Sequence, residues 1–154
     1  MILNRYLVKM KFGYKVFRWF NNLDGKSGNK KSPEKTTSKN DLEDKCHEQI
    51  DIVPKSLEGL AKKGITKKNK LKLYFLFMGN CQEDVNAFKK ILQENWGYYN
   101  LQSKKIENIY MVSGYTDPFP MCTSSIQPWV REMCQISLAQ NLDFLGWGIN
   151  FREN

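Results

Sequence analysis

Long uncharged runs are absent from the start of this chain. Within the first 23 residues the longest stretch without a charge is 19–23. A secretory signal needs an apolar run of about 7–15 residues and a spanning helix roughly 20, so neither is expected. The sequence therefore predicts a protein made and kept in the cytoplasm, at most lying on a membrane surface. Cysteine is sparse as well: Cys46, Cys81, Cys122 and Cys134 form no C-x-x-C pair and are too few for a disulfide scaffold. The single histidine, His47, stands beside Cys46 in a polar tract, and no second pair completes a zinc site. The thiols are expected as small buried or loop residues, kept reduced in a cytosol. There is no Ser/His/Asp set, no phosphate-cradling glycine loop and no recognisable carboxylate pair. Gly114, Gly146 and Gly148 do not make a nucleotide fingerprint. The expectation is no enzyme, no cofactor and no metal.

Acidic residues are absent from the first 23 positions, and this unevenness organises the chain. Residues 1–72 carry 18 Lys+Arg against 8 Asp+Glu, and residues 73–154 carry 6 against 8. The net charge of +8 is thus a basic half (+10) joined to a faintly acidic one (−2). Attraction to RNA or anionic lipid belongs to the first half, and nucleic acid is not expected as a partner of residues 52–154. Residues 1–23 hold Arg5, Lys9, Lys11, Lys15 and Arg18 beside Tyr6, Phe12, Tyr14, Phe17, Trp19 and Phe20. Leu3, Tyr6, Leu7, Met10, Tyr14 and Phe17 fall at helical spacing, while Val8, Met10, Phe12, Tyr14 and Val16 alternate as in a strand. Three roles stay open for this segment: weak contact with a membrane surface, contact with RNA, and cover for the open face of the expected sheet around Tyr74, Leu76 and Met78.

Residues 24–51 are rich in Lys, Ser, Asn and Gly, with Leu42 and Ile50 their only large aliphatic residues. Such a stretch buries too little apolar surface to offset its ordering entropy and reads as a flexible linker. The third unit is residues 52–154. Its first expected element is a helix over 56–63, capped by Ser56 and closed by Gly64. A strand follows over 71–78, then a helix over Gln82–Trp96 with Asn80 as cap and Glu83 three residues on. Two strands, 98–103 and 106–114, flank a turn at Lys104 and Lys105, and the two prolines of 115–120 imply a loop. Ser124 or Ser125 caps a second helix with Pro128 in its first turn. The last strand spans 144–151.

The order β-α-β-β-α-β predicts an α+β fold of the ferredoxin-like, split βαβ kind: a four-stranded antiparallel sheet with two helices on one face. Leu71, Leu73, Phe75 and Phe77 would face the helices. Tyr74, Leu76 and Met78 would lie on the open face, the first candidate contact surface. Tyr115, Asp117 and Phe119 of the proline loop are the second, because loops on a rigid scaffold often carry contacts. Trp129, Gly146, Trp147 and Gly148 are expected to be structural, with the indoles in the core and the glycines leaving one strand face bare.

The segments SLEGLAKKG, LKLYFLF, EDVNAFKKILQENWG, IYMVSGYTDPF, IQPWVREMCQISLA and FLGWG, taken together over about 56–151, resemble the regulator of ribonuclease E activity B family. The most specific of these elements is Gly146-Trp147-Gly148, supported by Trp129. The resemblance implies a small bacterial ferredoxin-like domain that is not an enzyme and restrains an RNA-degrading endonuclease by binding it. One departure stands out: Leu145 occupies the place where the family commonly has Asp, with Asp143 nearby. Two other functions compete. An RNA-binding module shares the strand order, but 109–115 lacks the basic, multiply aromatic pattern that stacks bases. An immunity-type adaptor masking some other protein would need only a complementary surface.

Overall fold

Leu73, Phe75 and Phe77 alternate with Tyr74, Leu76 and Met78, and this two-residue period places a strand at the centre of the molecule. The computed structural model describes residues 39–149. Along the chain they form α1 (Lys39–Asp51), α2 (Val53–Ala61), β1 (Lys70–Leu71), β2 (Leu73–Gly79), α3 (Gln82–Trp96), β3 (Gln102–Ile106), β4 (Ile109–Tyr115), β5 (Phe119–Pro120), α4 (Thr123–Ala139) and β6 (Asp143–Ile149). The architecture is mixed α+β with two antiparallel sheets. One has four strands in the order β3-β4-β2-β6, and the other pairs β1 with β5.

Register decides which residues meet. Phe75 stands between Gly114 of β4 and Trp147 of β6, Phe77 between Val112 and Phe144, and Leu73 beside Ile149. These residues join Val85, Phe88 and Leu92 of α3 and Ile126, Trp129, Val130 and Met133 of α4 in one core. Phe77 packs edge-on against Phe88 at 4.5 Å and stacks on Phe144 at 4.7 Å. A Cβ on Gly114 would come within 2.8 Å of both Phe75 Cζ and Leu101 Cδ2. Glycine there is what lets the Phe75 ring lie across β4.

Trp129 is buried, as expected, and its Nε1 donates to the Tyr98 hydroxyl at 3.2 Å. Burial pushes the Tyr98 phenol up to about 12. A phenol whose native value is raised keeps its stabilising contribution below its unfolded value near 10 and loses it as pH climbs toward 12. Tyr98→Phe should therefore cost about 1–3 kcal/mol at neutral pH by orphaning the indole N–H. It should also flatten the fall in stability between about pH 10 and 12, as read by denaturant unfolding at each pH.

The structure moves several expected boundaries. The helix expected over 56–63 spans Val53–Ala61, with Pro54 in its first turn. Ser56 sits inside it, buried, and its Oγ donates to the Ile52 carbonyl one turn back at 3.0 Å, so it is no cap. Gly64 does follow the helix end in a left-handed conformation, φ +87°. The residues preceding α3 and α4 are Cys81 and Cys122, in place of Asn80 and Ser124 or Ser125. Pro128 lies beyond the first turn of α4. It is exposed, as is Ser124, whose carbonyl can receive no helical hydrogen bond from the proline.

The first hairpin strand is Gln102–Ile106, not 98–103, and the turn falls at Glu107, which adopts φ 54°. Lys104 and Lys105 belong to the strand. Gly97 closes α3 left-handed, and the Tyr98 N–H bonds back to the Leu92 carbonyl at 3.2 Å, so Tyr98 is held to the helix. Because β3 is an edge strand with mostly exposed side chains, no apolar pattern announces its register. The prolines of 115–120 do not forbid pairing either. Pro120 sits in the two-residue β5, where an edge position asks for no second hydrogen bond.

The largest change concerns 24–51. Its last thirteen residues are helix α1, packed on α4 and the free edge of β6. Lys45 Nζ donates to Asp143 Oδ2 at 2.8 Å, Gln49 Nε2 to the Leu145 carbonyl at 3.0 Å, and Gln127 Nε2 of α4 to the Ile50 carbonyl at 3.1 Å. Cys46 is buried beside Cys134. A sheet edge is a hazard when bare, and α1 covers this one. Residues 1–38 and 150–154, which include the basic aromatic segment and the end of the last expected strand, lie outside the described residues.

Candidate functional site

The face of the four-stranded sheet turned away from the core is built by the other half of each alternation. Across β4, β2 and β6 it reads Tyr115–Tyr74–Gly148, Ser113–Leu76–Gly146 and Met111–Met78–Asp143. Tyr74 and Tyr115 lie ring to ring at 5.3 Å, tilted by 54°. The Tyr74 phenol is pushed up by burial, partly offset by a hydrogen bond with Ser113. Leu76 is 6% exposed and Met111 2%, although neither belongs to the core that joins sheet and helices. The face is therefore apolar and largely closed. Leu76 is buried and so is not the accessible contact that strand alternation implies; Tyr74 and Met78 are half-buried.

Of the six expected contact residues, four share this face: Tyr74, Leu76, Met78 and Tyr115. The other two do not join them. Phe119 packs on Trp129 at 6.0 Å, on the helix side. Asp117 is exposed at the corner between β4 and β5, where the Thr116 hydroxyl donates to its backbone carbonyl at 2.7 Å. Met111 and Ser113 belong to the face and escaped sequence reading. Their signal was the register of β4 against β2, which the alternation of β4 alone does not supply.

Gly146 and Trp147 divide their work. The pairing of β2 with β6 slips between Leu76 and Phe77, so Leu145 is an extra residue in β6. Gly146 carries the distortion at φ +145°, a conformation that suits glycine. Gln49 of α1 lies over it, 3.7 Å from where a Cβ would stand. Trp147 turns to the helix side with Phe75 and is 5% exposed. Its Nε1 is enclosed with no hydrogen-bond partner among the described residues.

The thiols sit apart from this face. Cys46 and Cys134 touch each other; hydrogen bonding from Cys134 lowers the Cys46 thiol, and Cys134 itself is raised by that bond and by burial. Cys81 donates to Glu83 at 2.8 Å and holds that carboxyl below its usual range. The hydroxyls of Ser124 and Ser125 lower the Cys122 thiol. Among the described residues no group of three or more His, Cys, Asp or Glu is arranged to hold a metal ion, and no helix is long and apolar enough to cross a membrane. Comparison with protein-family models, curated proteins and solved structures gives no match.

Proposed function

We propose that this chain is a cytoplasmic, non-enzymatic regulator that acts by binding another protein, of the kind that restrains an RNA-degrading endonuclease. We also propose that its four-stranded sheet is the ferredoxin-like arrangement. Support for the fold reading comes from the chain order β2-α3-β3-β4-α4-β6, the sheet order β3-β4-β2-β6, and the packing of α3 and α4 against the same side of β2. The observation that carries the function is the second apolar layer. Tyr74, Leu76, Met78, Met111 and Tyr115 place apolar and aromatic side chains on a sheet face that the helical core does not use. A protein surface with one or two aromatic anchors of this sort is what a binding regulator requires. An RNA-binding reading is less favoured, because β4 has no basic residue and residues 73–154 balance at −2.

The test mixes the full chain with a purified ribonuclease of the E type. Co-elution on gel filtration and slower cleavage of a labelled RNA are expected. Tyr115→Ala and Asp117→Lys should each weaken the complex about tenfold or more, the scale of a contact worth roughly 1.4 kcal/mol. Tight, salt-sensitive binding of RNA by the chain alone, without binding of the nuclease, would reverse the choice.

A further inference from the structure

The apolar outer face of the sheet needs a cover, and the geometry points to this chain's own residues 1–23 as the segment that seats on it. Three observations converge. The first is burial: Met111 and Leu76 are as enclosed as core residues while lying outside the cluster that binds the helices to the sheet. An uncovered face of a four-stranded sheet leaves the middle of its central strands in water.

The second is where the chain enters. Lys45 meets Asp143 at the start of β6 and Gln49 meets Leu145 further along, so α1 runs in the same direction as β6. Its first turn therefore lies at the end of the sheet where Met111, Met78 and Asp143 stand side by side. Residues 24–38, fifteen in number, join that point to residue 23. Fully extended they reach about 50 Å at roughly 3.3–3.6 Å per residue. A four-stranded sheet is only about 15–20 Å across at roughly 4.8 Å per strand, so every part of the face is within range.

The third is composition. Six aromatic residues and no acid in 23 positions are more apolar surface than a solvated tail has use for. The face offers Leu76, Met78 and Met111 as thioether and aliphatic partners for aromatic rings. Beside Tyr74, Gly148 leaves β6 low, so that a segment laid over the face approaches the backbone closely there. The seat does not rest on the regulator reading. If both hold, a partner of the outer face has to displace residues 1–23.

The experiment uses the full chain with the photoreactive amino acid p-benzoylphenylalanine in place of Phe17, irradiated without lipid or partner and mapped by mass spectrometry. A product of monomer size joining position 17 to the β2 or β4 peptide that holds Met78 or Met111 is the expected result. Products that join two copies, products on the helices, or no product overturn the inference. As an independent measurement, Phe12, Phe17, Trp19 and Phe20 are changed together to Ser in the full chain, and methionine oxidation by peroxide is followed. Met111 should oxidise at least tenfold faster while Met133, in the helix-side core, keeps its rate. An unchanged Met111 overturns the inference; if Met133 accelerates too, the variant has unfolded and the cross-link alone decides.

Discussion

Trp147→Ala is expected to lower the free energy of unfolding by about 3–5 kcal/mol, the usual cost of deleting a large buried aromatic. The indole lies opposite Phe75 on the helix side of the sheet and is almost wholly enclosed. Trp147→Phe should cost much less, about 1 kcal/mol. Phenylalanine gives up one ring of the indole, but it also removes Nε1, a buried donor with no acceptor among the described residues. Leaving such a donor unmet costs roughly 1–3 kcal/mol, so its removal offsets much of the lost packing. Denaturant midpoints at constant slope measure both variants. An unchanged midpoint for Trp147→Ala would mean that the indole is no part of the core. Equal costs for the two variants would mean that Nε1 has found an acceptor.

What could be read in the sequence follows from how strongly burial imprints a pattern. The α3 helix was legible to the residue because Val85, Phe88 and Leu92 repeat at its period and Gly97 closes it. β2 and the helix-side register of Leu73, Phe75 and Phe77 were legible for the same reason. β3 was not, since an edge strand with exposed Gln102, Ser103, Lys104 and Lys105 has no face to declare. Nor was the pairing of β5 with β1, where tertiary proximity overrides the disfavour of Pro120 for strands. The outer face was half legible. Alternation in β2 named Tyr74, Leu76 and Met78, and Tyr115 came only as a loop residue, because cross-strand register is a property of pairs of strands.

The bulge in β6 shows a different limit. Gly146 and Gly148 were readable as small residues beside Trp147, but the slip at Leu145 comes from the need to bring Phe144 opposite Phe77 and Gly146 opposite Leu76 at once. Leu145 is this extra residue, and its carbonyl accepts from Gln49. The nearby acid, Asp143, is engaged by Lys45 and buried. In this chain both positions serve to anchor α1, a use no local pattern in the polar stretch 39–51 advertises.

That anchoring sets the second large effect. A fragment beginning at residue 52 is expected to be much less stable than one beginning at residue 39, against a domain boundary at 52. Removing α1 takes away the Lys45–Asp143 pair, the bond from Gln49 to the Leu145 carbonyl, the acceptor of Gln127 and the buried contact of Cys46 with Cys134. Each hydrogen bond is worth about 1 kcal/mol net, and the pair no more than that, because Lys45 is half exposed and water reaches Asp143 once the helix is gone. The bare edge of β6 adds a tendency to pair with other chains. The sum is a loss of about 2–4 kcal/mol, or a drop of roughly 8–20 °C in Tm for a domain of this size. Comparing residues 39–154 with 52–154 by thermal unfolding isolates the helix from anything residues 1–38 contribute. Equal Tm values would return α1 to the status of a linker. A matching drop in the full chain carrying Lys45→Ala and Gln49→Ala together, smaller but of the same sign, would locate the effect in these contacts.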